Sequence, residues 1–206
     1  MSHAKSNVES TTVSNPLFRV ACLGALLLLV GSGPLLANGW FYHSIPYEAL
    51  IRGLDSESPD YRSMAAMALG MRRESRAVPK LLQGLEAQGE RLQVKIEIFR
   101  ALGWIGDPAT EPVLLQGLRE AAPELRAEAA DALAQLAPPE ALSPLLQAFE
   151  REQDLIVRTR LVAALGSYEQ PAAIASLVRV LEDGESSTLR VHATRALGHA
   201  GVATSA

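Results

Sequence analysis

Histidine and cysteine are among the side chains that most often do chemistry, and their spacing in this sequence builds no catalytic site. The histidines, His3, His43, His192 and His199, stand apart, and none of them precedes a glutamate. His192 and His199 are seven residues apart and share roughly one helical face, but two ligands do not complete a metal site. The one cysteine, Cys22, has no second cysteine to pair with. Because G-x-S-x-G and glycine-rich phosphate motifs are also absent, we expect a non-catalytic protein without a metal or cofactor.

Basic side chains recur at a fixed place in the chain. One stands six residues before each of five similar Ala-Leu-Gly motifs, at Arg62, Lys95, Arg126, Arg158 and Arg190. This column either faces a partner or bonds backbone carbonyls and neighbouring acids, which recur at Asp55, Glu86, Glu150 and Glu182. We favour the second interpretation, because charges at the edges of packed helices need partners.

The overall charge argues against nucleic acid as a partner. The chain of 206 residues has a formal net charge of −4, whereas nucleic-acid affinity depends on cations that release condensed counterions. The densest basic cluster is formed by Arg72, Arg73 and Arg76. It falls in a turn between two predicted helices, so we interpret it as a solvated loop.

Two motifs repeat with a shared period, and they predict how the chain is built. The ALG motif begins at residues 68, 101, 132, 164 and 196, with alanine in place of glycine in the third copy. The LLQ motif, typified by Leu-Leu-Gln-Gly-Leu, begins at residues 50, 81, 114, 145 and 177. Sequence self-similarity with a period of about 32 residues is typical of stacked repeat arrays, which usually serve as binding surfaces.

Both motifs have the apolar spacing of amphipathic helices. Apolar residues lie seven and three residues before the ALG alanine and one residue after it, on one helical face. We expect the ALG glycine to close its helix in a left-handed turn. Asp107-Pro108, Pro138-Pro139 and Gln170-Pro171 separate the two helices of a unit. The glycines of the LLQ motif, such as Gly84 and Gly117, should let another helix approach closely.

The repeats resemble the short HEAT-like repeats of phycobilisome lyase subunits and of many bacterial scaffold proteins. The resemblance covers residues 45–206 and rests on the V/L-R-x-x-A-A-x-A-L-G form at residues 125–134 and 189–198, with Gly-Asp-Pro-Ala at 106–109. It implies an all-α, HEAT-like α-solenoid of about five helical pairs. The metal-binding HEAT-like hydroxylases carry His-Glu pairs, and this sequence has none.

An apolar segment precedes the array. After a polar tail at residues 1–16, residues 17–42 contain an uncharged run that includes Val20, Leu26 and Leu29. A helix of about 21 residues crosses a hydrocarbon core of about 30 Å, so we favour a single membrane anchor, with Trp40, Phe41 and Tyr42 at the far interface. The alternative is a secretory signal peptide cleaved after residue 37. Either interpretation places the array outside the cytoplasm, whereas an inverted anchor would place it inside.

Three features are candidate partner-binding sites. Trp104 occupies a turn where packing does not require an indole. We expect the LLQ helices to line a concave face and to expose a polar ladder of Arg52, Gln83, Gln116, Gln147 and Arg179. The last repeat shows no polar cap, so Leu189 and Leu197 should form an exposed end that docks on a partner or a second copy.

The sequence therefore predicts a membrane-tethered, non-catalytic scaffold or assembly subunit that binds protein partners in a membrane complex. The resemblance to lyase subunits leaves a second hypothesis open, an accessory subunit of a bilin lyase-like enzyme. A cytoplasmic adaptor on an inverted anchor is the third.

Overall fold

The computed structural model describes residues 40–183 and 186–200. In these ranges the secondary structure is entirely helical. The helices are α1 (Trp40–Ser44), α2 (Tyr47–Leu54), α3 (Pro59–Met71), α4 (Val78–Glu86), α5 (Leu92–Ile105), α6 (Glu111–Gly117), α7 (Pro123–Leu136), α8 (Leu142–Arg151), α9 (Leu155–Leu165), α10 (Pro171–Glu182) and α11 (Ser187–His199). The odd-numbered helices from α3 onward carry the ALG motif and are called the ALG helices. The even-numbered helices carry the LLQ motif and are called the LLQ helices. The predicted all-α class is confirmed for this part of the chain.

The helices form a two-layer stack in chain order. Each ALG helix packs on the next, from α3 through α5, α7 and α9 to α11. Each LLQ helix packs mainly on an ALG helix, and neighbouring LLQ helices contact one another much less. Since every helix buries its apolar stripe only against its neighbours, this is the arrangement that an α-solenoid requires.

The core runs the length of the stack as one row of leucines. The leucine of the ALG motif is fully buried in all five copies, at Leu69, Leu102, Leu133, Leu165 and Leu197. Burying one such side chain contributes about 1.5–3 kcal/mol. The apolar period read from the sequence therefore coincides with the buried positions.

The glycine of the ALG motif does not have the role that we predicted for it. Gly70 and Gly103 lie inside their helices, and α5 continues to Ile105, where Gly106, with a φ of 70°, caps it. A Cβ on Gly70 would lie 2.6 Å from the Cα of Ala101, and one on Gly103 would lie 2.8 Å from the Cα of Ala132. The glycine is therefore required by the close approach of successive ALG helices.

This close approach determines which side of the stack is concave. Gly166 repeats the contact, since a Cβ there would lie 2.8 Å from the Cα of Ala196. The LLQ helices lack comparable contacts with one another, so they are spaced more widely. A two-layer stack curves toward its more closely spaced layer, so the ALG helices line the concave side. The expectation that the LLQ helices do so was wrong, because the small residues that shorten one side belong to the ALG motif.

The predicted anchor lies almost entirely outside the described residues, including Val20, Leu26 and Leu29. Within residues 40–183 and 186–200, no helix has both the length and the apolar character needed to span a bilayer. Trp40 and Phe41 begin α1, and Tyr42 is half-buried against the core of the array. The membrane interpretation therefore stays a prediction from the sequence.

Candidate binding surface

One exposed side of the ALG helices forms a continuous surface, which we call the concave face. Counted from the ALG alanine as zero, it comprises positions −8, −4, −1 and +3, which share one side of a helix. Two ion pairs cross it between neighbouring helices: Arg100 Nη2 lies 2.6 Å from Glu128 Oε1, and Arg160 Nη1 lies 3.0 Å from Asp131 Oδ2. Both pairs join position −1 of one helix to position −4 of the next, which fixes the register of the face.

Ion pairs link neighbouring helices across the middle of the concave face. The Arg100 guanidinium donates to Glu128 on the next helix and, at 2.8 Å, to Glu97 on its own helix. Gln93 also donates to Oε1 of Glu97, whereas the buried Oε2 has no hydrogen-bond partner among the described residues. Hydrogen bonding to Glu128 raises the pKa of Arg100.

On the concave face, the pKa of Asp131 departs most from its ordinary value. Burial raises the pKa of its carboxyl to about 6, although the Arg160 charge opposes the shift and Glu128 adds to it. Arg160 itself is half exposed, so this contact is accessible to solvent and to a partner.

The N-terminal end of the concave face carries three methionines and one acid. Met64, Met67 and Met71 occupy positions −4, −1 and +3 of α3, where Met71 is 37% exposed, and the exposed Asp60 occupies position −8. Trp104 follows on α5 and is half-buried, with its Cε3 atom 3.1 Å from where a Cβ of Gly70 would lie. The indole therefore packs over the glycine of the preceding helix and keeps part of its surface accessible. Methionine and tryptophan side chains of this kind suit protein contacts.

Two members of the basic column, Arg62 and Arg126, hold the edge of the stack together. Arg62 donates to both carboxylate oxygens of Glu90 at 2.7 Å and to the carbonyls of Ser56 and Glu57. Arg126 repeats the arrangement with Glu152 and with two carbonyls that precede its own helix. We call each Arg–Glu pair an edge clamp.

The edge clamps confirm the structural interpretation at these two positions but use other acids than the sequence suggested. Their carboxylates are Glu90 and Glu152, which directly precede the next ALG helix. Hydrogen bonding to the arginine lowers the pKa of each carboxyl. Arg158 stacks on the Phe149 ring at 4.6 Å.

The cluster predicted to be a solvated loop is largely bound to the protein. Arg72 donates to the carbonyl of Ile45 at 2.6 Å and pairs with Glu74 at 2.7 Å. Arg76 lies over the Tyr47 ring at 4.2 Å. These contacts tie the start of the array to the turn between α3 and α4, so the solvated interpretation fits only Arg73, which is exposed.

The predicted polar ladder is exposed at every position, as expected: Arg52, Gln83, Gln116, Gln147 and Arg179. It lies on the LLQ helices, which are the convex layer. Arg179 is 3.4 Å from Glu150, and Gln83 and Gln147 bond to side chains of their own helices. A role for the ladder in partner binding remains a prediction.

The expectation of an exposed leucine end needs correction. Leu189 is 2% exposed and Leu197 is 0% exposed, because α11 turns this stripe toward α9 and α10. The two leucines therefore belong to the core and are not available as a docking end. Val191, at 58%, is the large exposed hydrophobic residue of α11.

Sequence reasoning missed the ion pairs that cross the stack. Their signal was present, because opposite charges recur 26 to 29 residues apart, as in Arg62 with Glu90 and Arg100 with Glu128. The acids expected from the sequence lie at the ends of the LLQ helices, whereas Glu90 and Glu152 lie just before the next ALG helix. For metal ligands, no cluster of three or more His, Cys, Asp or Glu side chains occurs in the described part of the chain.

Comparison with known proteins agrees with this architecture. A family model described as HEAT repeats matches residues 47–119 and 111–198. The structure of human deoxyhypusine hydroxylase in complex with glycerol is similar at 18% identity and a TM-score of 0.40, over 89% of this chain and 96% of that chain. No curated protein matches the chain significantly. Since the HEAT model covers well over half of the sequence, the chain belongs to the HEAT-repeat family.

Proposed function

We propose that this chain is a non-catalytic scaffold that receives a protein partner on its concave face. The observation that carries the proposal is the uneven chemistry of that face. Its middle holds two ion pairs, whereas its ends expose the apolar Met71 and the cationic Arg195, which forms no ion pair with any described residue. HEAT repeats commonly mediate contacts between proteins, and a preformed curved surface lowers the entropy cost of binding.

The proposal includes a membrane tether at residues 17–42 and an array outside the cytoplasm. Its support is the uncharged run between residues 20 and 30, followed closely by the first repeat. Carbonate washing of membranes that contain the full chain should leave it in the pellet, and external protease should digest the array. A chain that washes off, or an array digested only after lysis, would contradict the tether or its orientation.

A crosslinking experiment tests the scaffold and its binding face. A photoreactive amino acid is placed in the full chain at Met71, on the concave face, or at Gln116, on the predicted LLQ ladder. After crosslinking in membranes, the Met71 position should give a discrete protein adduct and the Gln116 position should not. The reverse pattern would move the site to the convex ladder, and no adduct at either position would contradict the scaffold.

The bilin lyase hypothesis has a separate test, because it predicts a bound pigment. Co-production of the chain with a bilin source should give a purified protein without visible absorbance. A stoichiometric bilin band would replace the scaffold proposal with the accessory-subunit role.

A further inference from the structure

The last two ALG helices carry basic side chains and no acidic ones. Helix α9 contains Arg158 and Arg160, and α11 contains Arg190 and Arg195 with two histidines. No aspartate or glutamate occurs in residues 155–168 or 186–206 of the sequence. By contrast, α7 carries Glu124, Glu128 and Asp131. Among the ALG helices, α9 and α11 are therefore the two that carry cations without an acidic residue.

The register of the concave face explains why Arg195 meets no acidic side chain there. Position −1 of each ALG helix lies beside position −4 of the next, as the Arg100–Glu128 and Asp131–Arg160 pairs show. At the α9–α11 step, position −1 is Ala163 and position −4 is His192. The alternation of charges stops at this alanine. Arg195, one turn further along α11, is exposed and forms no ion pair with any described residue.

An apolar side chain adjoins these cations. Ile156 occupies position −8 of α9 and is 68% exposed, the highest value among the exposed large hydrophobic residues of the described chain. Its position lies one turn from that of Arg160 on the same side of the helix. We call the surface formed by Ile156, Arg160, His192, Arg195 and His199 the α9–α11 face.

We propose that the α9–α11 face binds an acidic amphipathic segment of the partner protein. The inference deepens the proposed scaffold function and rests on it. Carboxylates of the segment pair with Arg195 and with the half-exposed guanidinium of Arg160, which also keeps its ion pair with Asp131, and an apolar side chain covers Ile156. The histidines at positions −4 and +3 supply further hydrogen-bond donors to carboxylates.

The combination of cations with an apolar side chain favours an amphipathic protein segment over an anionic bilayer, which the same charges would also attract. Ile156 is 68% exposed and lies on the same side of α9 as Arg160. One amphipathic helix can place carboxylates on the cations and an apolar side chain on Ile156 at the same time.

Binding of defined probes to the full chain in detergent micelles tests the proposal. The probe is a labelled synthetic peptide of about 20 residues, with glutamates on one helical face and leucines on the other. Its counterpart carries lysines in place of the glutamates. Fluorescence anisotropy should show binding of the glutamate peptide that weakens as salt is added, and no binding of the lysine peptide. Equal binding of both peptides would overturn the proposal.

Matched variants locate the binding. Arg195→Glu should weaken binding of the glutamate peptide at least about tenfold. Arg119→Glu, the same change at an exposed site beyond α6, should leave the affinity for this peptide unchanged. Ile156→Ser should also weaken binding, whereas Val191→Ser, exposed on another side of α11, should not. Equal effects within either pair would overturn the assignment to this face. Circular dichroism of each variant confirms that the helices are retained.

Two further outcomes separate this inference from the function on which it rests. If vesicles containing phosphatidylglycerol bind in an Arg195-dependent manner and the glutamate peptide does not, the partner is a lipid surface and the inference fails. If the peptide does not bind but crosslinking at Met71 still gives an adduct, the scaffold stands and the inference fails alone. Failure of both experiments would reject the scaffold as well.

Discussion

The α3/α5 and α5/α7 interfaces show what the repeat requires and what it leaves free. Both use a glycine on one helix against an alanine on the next, Gly70 on Ala101 and Gly103 on Ala132. Their ion pairs differ in place. The α3/α5 interface has an edge clamp and leaves methionines on the concave face, whereas the α5/α7 interface pairs Arg100 with Glu128 on that face. The backbone contact is thus constant, and the location of the ion pair decides what the concave face offers a partner.

The largest effect on stability is expected at the glycine–alanine contact that the two interfaces share. A Cβ at Gly70 or Gly103 would contact backbone, and overpacking of this kind costs about 1–3 kcal/mol, more than the gain of about 1 kcal/mol from replacing a helical glycine by alanine. Gly70→Ala and Gly103→Ala should therefore both lower the midpoint of urea unfolding. Gly198→Ala is the matched control, because nothing lies within 4 Å of its added Cβ, and it should raise the midpoint. A rise in all three variants would refute the role of the glycine contact.

The second prediction separates the interfaces by their ion pairs. Glu90 is 5% exposed and binds Arg62 through both oxygens, whereas the Arg100–Glu128 pair is more open to solvent. Glu90→Gln should lower the free energy of unfolding by about 2 kcal/mol, and Glu128→Gln by about 1 kcal/mol or less. Chemical denaturation measures both. Equal losses of unfolding free energy in the two variants would mean that burial of the edge clamp does not add to stability.

The third prediction concerns the pH dependence of stability. The pKa shifts of the edge-clamp acids and of Asp131 on the concave face have opposite signs. The pKa values of Glu90 and Glu152 are lowered in the fold, so their stabilisation is present above the ordinary glutamate pKa and is lost as pH falls below it. The pKa of Asp131 is raised from 3.8 to about 6, so its contribution declines as pH rises across that interval. Asp131→Asn should remove that decline. Thermal unfolding of both proteins between pH 4 and pH 7 checks the sign, and parallel curves would contradict it.

The smallest effect is expected on the convex layer. Gln116 is exposed on α6 and carries no charge. Gln116→Ala should change the free energy of unfolding by no more than about 0.5 kcal/mol, and it should leave partner crosslinking from Met71 unchanged. A strong loss of crosslinking would show that the polar ladder takes part in binding after all.

The helices and their order could be predicted from the sequence, because a stack of near-identical units repeats each local signal five times. The buried leucines at Leu69, Leu102 and Leu133 fall where the 3.6-residue period places them. The closing role given to the ALG glycine was wrong, because the same residue serves helix ends and helix contacts, and only the packing distinguishes them.

The candidate site could be predicted less well, because it depends on which layer is concave. That curvature follows from the difference in spacing between two layers, which no single repeat encodes. Trp104 was expected in a turn, but it lies within α5 and packs over Gly70 of the preceding ALG helix, and its role in partner binding stays a prediction. Leu189 and Leu197 were misplaced because the apolar stripe of the last helix packs backward, onto α9 and α10.

Distances between spin labels on the two layers test the curvature most directly. With Cys22 replaced by serine, cysteine pairs are placed two repeats apart at exposed positions, Met71 with Gln135 on the concave face and Gln83 with Gln147 on the LLQ helices. Double electron–electron resonance on each labelled protein should give a shorter distance for the Met71–Gln135 pair. Equal distances, or a shorter Gln83–Gln147 distance, would contradict the assignment of the concave face to the ALG helices.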